Sequence, residues 1–225
     1  MSDRRAPGWL RRLPERIHDL SPDYFTRFAP PPGVEKRAAV LMLFGPSMCG
    51  GQDVLLTERS HDLRSHAGQV SFPGGRIDPG DDGAVGAALR ETHEEVGVDP
   101  AQVEILGELP GLFLGPSGNA VTPVLGWWAE RHTPQITSHV EVARVVRARV
   151  ADLVDPTRRF TVTTPIGYRG PGFEVDRLFV WGFTAGLLEA LLDIGGVALP
   201  WDRSRVRPLP EAMITPMMRD RFGPR

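Results

Sequence analysis

The 225-residue chain predicts a layered α/β domain. Three observations carry that expectation. A near-continuous apolar run, AAVLMLF at 38–44, reads as a strand covered on both faces. The stretch from Gly83 to Val96 combines helix formers with a closing Gly97. Further strand-like runs are interleaved with short helical ones, the mixture from which layered α/β domains are built. With 41% hydrophobic and 24% charged residues, the chain can bury a full core in one domain with additions.

Residues 1–36 are expected to be a helical extension, with one helix opening at Pro14 and a second capped by Ser21 with Pro22 following. Pro30-Pro31-Pro32-Gly33 then interrupts the chain. The main domain is expected over 37–194. There Arg37 to Phe44 and Asp53 to Glu58 read as buried strands joined by a loop from Gly45 to Gln52, and Phe72-Pro73-Gly74-Gly75 reads as a second loop. After the helix, Gln102 to Leu109, Ala120 to Ala129 and Val140 to Arg149 are strand candidates. Ala151 to Val154 forms a short helical turn stopped at Asp155-Pro156. Phe160 to Thr164 and Arg177 to Trp181 are expected to form a hairpin around the Gly- and Pro-rich loop 167–172, before a last core helix from Thr184 to Leu192. The tail, 195–225, is dominated by Pro and Arg and is expected to be irregular or an arm for a partner.

The formal net charge of -2 argues against a broad nucleic-acid or membrane footprint. Met1 to Arg16 lacks the apolar centre of a secretory signal, and the run from Val180 to Leu192 is too short to span a bilayer. A single cysteine, Cys49, excludes an internal disulfide, fits a cytoplasmic location and reads as structural. Among the basic residues only Lys36 is a lysine, so any phosphate contact falls to arginine, whose planar fork suits it.

The helix carries the chemistry. At about 100° per residue, Val85, Ala88, Leu89, Thr92 and Val96 share an apolar stripe, while Glu91, Glu94 and Glu95, at i, i+3 and i+4, centre roughly 125° away. One face is expected to pack and the other to present acid. A Glu-rich helix face is most often simply solvated, but here the Gly74-Gly75 backbone just upstream can approach a ligand and add a carbonyl. Oxygen donors of this kind suit Mg2+ or Mn2+ rather than zinc.

Gly75, the acidic pair Asp81 and Asp82, and Arg90-Glu91-Thr92-His93-Glu94-Glu95-Val96-Gly97-Val98 resemble the Nudix box of pyrophosphohydrolases. Two departures stand out: the usual early Glu of the box is absent, and the spacing from Gly75 to Arg90 is one residue longer than the common pattern. Immediately upstream, Leu55-Leu56-Thr57, Arg59-Ser60, Arg64, Gly68 and Phe72-Pro73-Gly74-Gly75 resemble the motif that precedes the box in the coenzyme A pyrophosphatase branch, which also tends to carry the longer spacing.

The resemblance implies a Nudix α/β/α sandwich with a mixed sheet and a loop-helix-loop box. It implies divalent-metal-dependent hydrolysis of the diphosphate of coenzyme A or acyl-CoA to (acyl-)4′-phosphopantetheine and adenosine 3′,5′-bisphosphate. The alternatives are ADP-ribose, NADH or a nucleoside triphosphate as substrate, or a non-hydrolytic nucleotide- or protein-binding domain. The implied metal ligands are Glu91, Glu94, Glu95 and the Gly75 carbonyl, with Glu141 as a fourth carboxylate by its order along the chain. The implied catalytic residues are Glu91, Glu95 and Arg90, the arginine orienting a neighbouring glutamate, and the implied substrate contacts are Arg59, Arg64, Gly68, Phe72 and Gly74. Phe113, Trp127 and Trp128 could stack on adenine but more commonly such residues fill a core, and His61 and His66 have no metal-binding spacing. The expected partner is a small diphosphate substrate, with a homodimer left open.

Overall fold

The computed structural model describes residues 5–20, 29–63, 66–114 and 118–214. Strand β1, Arg37–Pro46, lies near the middle of a mixed eight-stranded sheet, parallel to β7 (Asn119–Trp128) and antiparallel to β2 (Gln52–Arg59). The path β3-β2-β1-β7-β5 uses Val70–Ser71 as β3 and Val103–Glu108 as β5. Three more strands join it: β4, Gly74–Arg76, on β1; β6, Leu112–Leu114, on β7; and β8, Val142–Arg149, on β2.

Successive side chains of β1 explain its unbroken apolar run, because they enter two different cores. Ala39, Leu41 and Leu43 face helix α3, Gly83–Val96, and pack with its Ala84, Ala87, Ala88 and Val96. Met42 and Phe44 face the opposite layer, formed by α1 (Gly8–Arg11), α2 (Leu13–His18) and α5 (Gly182–Gly195). Helices thus cover both faces of the sheet, the α/β/α arrangement expected. Between β8 and α5 lie α4, Val150–Val154, and three of the four strands of a second sheet.

That second sheet corrects two expectations. Phe160 to Thr164 and Arg177 to Trp181 do not pair with each other. The Gly- and Pro-rich segment between them is itself a strand, β10 (Arg169–Val175), which pairs on one side with β9 (Arg159–Thr163) and on the other with β11 (Leu178–Val180). Gly172 is tolerated there because a side chain at that position would collide with Phe160 and Val162. The tail is not wholly irregular either: β12, Val206–Pro208, adds to β9 in parallel and Leu209 is buried. Arg159, almost fully buried, donates to Glu189 at 2.7 Å and lies over the rings of Phe173 and Trp201, fastening the tail to α5. The helix expected at Ser21 lies outside the described residues. Residues 45 and 46 belong to β1, so the first turn shortens to 47–51, where Cys49 is exposed rather than structural.

Candidate active site

Helix α3 begins after Asp82, which makes no side-chain cap, and ends at Gly97 in the left-handed conformation, φ 68°, whose N–H closes on the His93 carbonyl at 2.9 Å. Its acidic residues do not share one solvated face, which corrects the amphipathic reading. Glu95 is 2% exposed, whereas the Glu94 side chain is 56% exposed. Covering of Glu95 by β4 and the end of β2 accounts for the difference. The Gly74 N–H donates to Glu95 Oε2 at 3.3 Å, and the positive charge of Arg59 acts on the same carboxylate. Burial pushes the Glu95 carboxyl up to about 8; Glu141 and Glu91 push the same way, while Arg59 and the Gly74 amide oppose.

The two positions of β4 nearest the glutamates are glycines, at Gly74 because backbone stands in the way of a side chain and at Gly75 because a side chain would displace the Glu91 carboxylate. A Cβ at Gly74, φ 149°, would stand 2.3 Å from the Ala39 carbonyl oxygen, and one at Gly75 would fall within 2.4–2.6 Å of the Glu91 carboxylate. The pair reads as a loop in sequence but pairs with Ala39 and Val40 as a short strand. Glu91 therefore rests directly on backbone.

Arg90 organises the other side. Its Nε and Nη2 donate to the two carboxylate oxygens of Asp81 at 2.8 and 3.0 Å, and Nη2 also reaches the Arg76 carbonyl at 3.0 Å. Nη1 donates to Glu91 Oε1 at 3.1 Å and to Glu94 Oε2 at 3.2 Å. This gives Asp81 a definite place: with its partner Arg90 and the Asp78 N–H, its carboxyl is held down to about 2, and it anchors the guanidinium that orients Glu91. Asp82 is exposed and has no such partner among the described residues. Glu91 is pushed upward by burial, against Arg90, with Glu94 and Glu141 adding to the rise.

Glu141 stands in the turn just before β8, not within the strand, and is close enough to act electrostatically on both Glu91 and Glu95. The expected metal ligands thus divide. Glu91, Glu95 and Glu141 lie near enough to act on one another electrostatically and the Gly75 backbone abuts the Glu91 carboxylate, while the Glu94 side chain is 56% exposed and shares Arg90 Nη1 with Glu91. Among the described residues no three His, Cys, Asp or Glu side chains converge closely enough to hold a metal ion as they stand. The donor set is nevertheless all oxygen, with crowded carboxylates against a backbone cradle that a Cβ would fill, and this fits Mg2+ or Mn2+.

The expected substrate contacts also divide. Arg59 adjoins Glu95, and its Nε is buried without a hydrogen-bond partner. Gly68, φ 67°, lies against the His61 ring and donates to the Arg59 carbonyl. Phe72 is a correction: it is 2% exposed and committed to the core on the far face of the sheet. Arg64 lies outside the described residues. Trp127 and Trp128 are core residues, each 3% exposed. A cavity of about 280 Å3 lies at the opposite end of β2, lined by Ser47, Asp53, Arg147 and Arg149 among others. Asp53 and Arg59 are six residues apart, so at ~3.3 Å per residue this cavity is ~20 Å from the glutamates, and the chemistry is placed by the carboxylates rather than by this hollow. No helix among the described residues is long and apolar enough to cross a membrane.

Comparison with known proteins bears on the same segment. A family model described as the NUDIX domain matches residues 35–161. A protein of Escherichia coli strain K12 named "Uncharacterized Nudix hydrolase NudL" is 41% identical over 148 residues, 63% of this chain and 75% of its own length. A relative of the same name from Shigella boydii serotype 4 is 40% identical over the same span and coverage. Among solved structures, the Nudix hydrolase RenU of M. smegmatis superposes with a TM-score of 0.50 at 20% identity, covering 74% of this chain and 89% of that one, a likeness of fold. The matched region contains the sheet centre, α3 and every glutamate of the site, and the chain belongs to the Nudix hydrolases, enzymes of the pyrophosphohydrolase kind.

Proposed function

We propose that this enzyme hydrolyses the diphosphate of coenzyme A or its thioesters, releasing 4′-phosphopantetheine or its acylated form and adenosine 3′,5′-bisphosphate, with Mg2+ or Mn2+ as cofactor. The observation that carries this reading is where the second signature lies. Arg59, Gly74 and Gly75, all from the stretch resembling the coenzyme A branch, adjoin Glu95 and Glu91. The arginine brings a planar cation beside Glu95 at the edge of an acidic centre, and its fork suits a substrate phosphate.

Hydrolysis needs water to attack phosphorus in line with the leaving oxygen while charge accumulates on the phosphoryl oxygens. A bound divalent cation supplies charge neutralisation, orientation of the diphosphate and a lowered pKa for a bound water. Glu95, Glu91, Glu141 and the Gly75 carbonyl would hold it. Burial raises the Glu95 carboxyl, so binding of a cation there is coupled to release of its proton. Arg90 occupies Glu91 Oε1, which leaves Oε2 to bind metal or to accept a proton from water. Product analysis with coenzyme A, ADP-ribose and NADH, each with Mg2+ or Mn2+ and beside Glu95→Gln, tests the reading. Coenzyme A should be cleaved by the native enzyme and not by the variant; cleavage of ADP-ribose but not coenzyme A would sink the substrate assignment.

A further inference from the structure

Beyond the Gly97 N–H on the His93 carbonyl, the carbonyls at the C-terminus of α3 near the active-site glutamates take their donors from one loop. Thr137 Oγ1 donates to the Glu94 carbonyl at 2.6 Å and to the His93 carbonyl at 3.3 Å. The Thr137 N–H donates to the Glu95 carbonyl at 3.0 Å, and the Ser138 N–H reaches the same oxygen at 3.3 Å. The fit is close: a Cβ on Gly97 would meet Thr137 Cγ2 at 3.1 Å. From there the chain turns, with the Ser138 carbonyl accepting from the N–H groups of Glu141 and Val142 at 3.2 and 2.9 Å. The Glu141 carbonyl then accepts from Ser60 N–H at 2.8 Å, at the end of β2 beside Arg59. These contacts close a ring running from the helix end through Thr137 and Glu141 to β2 and back to Glu95.

We infer that Thr137 is a positioning residue, which latches residues 137–141 to the end of α3 and so sets where Glu141 stands relative to Glu91 and Glu95. The loop has no other hydroxyl on the helix carbonyls among the bonds described, and Thr137 is itself exposed, so its contribution lies in these bonds rather than in core packing. The inference rests on the proposed divalent-metal reading for its functional consequence and on the hydrogen-bond ring for its structural one.

The test compares native protein with Thr137→Val, which keeps the shape and removes the hydroxyl donor, and with Thr137→Ser, which restores the donor. Calorimetric titration with Mn2+ should show a dissociation constant about tenfold higher for the valine variant, and within about threefold of native for the serine one, the size typical of residues that orient metal ligands. Amide hydrogen exchange without metal should be about tenfold faster at Ser138 and Ser60 in the valine variant alone. Should that variant fail to fold, Thr137→Ala receives the same measurements. Unchanged Mn2+ affinity in Thr137→Val, or a serine variant as weak as the valine one, overturns the inference. Native protein that takes up no Mn2+ strikes the proposed function instead, and exchange then decides the latch: unchanged protection at Ser60 overturns it.

Discussion

Replacing Glu95 with glutamine should remove a pH dependence of folding that the native protein carries in the absence of divalent metal. Glu95 is 2% exposed, and burial, with Glu141 and Glu91 adding to it, raises its pKa from 4.5 to about 8. The folded state therefore binds this proton more tightly than the unfolded chain. The stabilisation is fully present below the unfolded value of 4.5 and is lost as pH rises through about 8. A rise of about 3.5 pH units corresponds to about 5 kcal/mol at 1.36 kcal/mol per unit, comparable to the whole net stability of many domains. Urea unfolding in a chelator, at intervals from about pH 5 to about pH 9, measures it. Subtracting the glutamine variant cancels the other titrating groups, and the native-minus-variant difference should fall by several kcal/mol across that window. Saturating Mg2+ at the alkaline end should return stability to the native protein and not to the variant. Curves that run parallel to within about 0.5 kcal/mol would refute the burial argument for Glu95.

Three further outcomes are expected. Asp81→Asn should lower turnover about tenfold with little change in the Michaelis constant, because it weakens the fork that holds Arg90 on Glu91; Asp81 loses its charge only as pH falls through about 2, so steady-state kinetics should show a deficit independent of pH across the working range. Arg59→Ala should raise the coenzyme A Michaelis constant at least tenfold, and a matching fall in melting temperature would mark the residue as structural instead. Gly74→Ala places a methyl 2.3 Å from the Ala39 carbonyl oxygen at φ 149° and should cost about 3 kcal/mol or more in urea unfolding.

What could be read from sequence follows the reach of the interactions concerned. Helix α3 falls where expected because its formers and its closing Gly97 act within a few residues, and β1 announced its two-sided burial through an unbroken apolar run. Strands β3, β4 and β12 escaped because each is two or three residues long and exists only by pairing with another strand, and β10 because its Gly and Pro read as a loop although it pairs with its neighbours β9 and β11. Within the site, three glutamates at i, i+3 and i+4 were visible, but not that one would be buried and another turned to Arg90. That division comes from β4 and β2, whose position over α3 no local pattern encodes. Glu141 was reachable only through its order along the chain, and Phe72 misled because its neighbours Gly74 and Gly75 do adjoin the glutamates while its own side chain crosses to the opposite core. Which member of the acidic pair at 81 and 82 holds Arg90 was equally hidden, and only the contacts show it to be Asp81.

The bare backbone of Gly74 and Gly75 also limits how this enzyme can change over evolutionary time. A single substitution at either position meets a carbonyl or a carboxylate before it can meet a substrate, so neither residue can serve as a site of gradual adaptation. Variation that alters which diphosphate is accepted is therefore channelled to positions other than this pair and outside the latch that Thr137 makes on the end of α3. A laboratory effort to redirect specificity should hold the glycine pair and Thr137 fixed and diversify elsewhere.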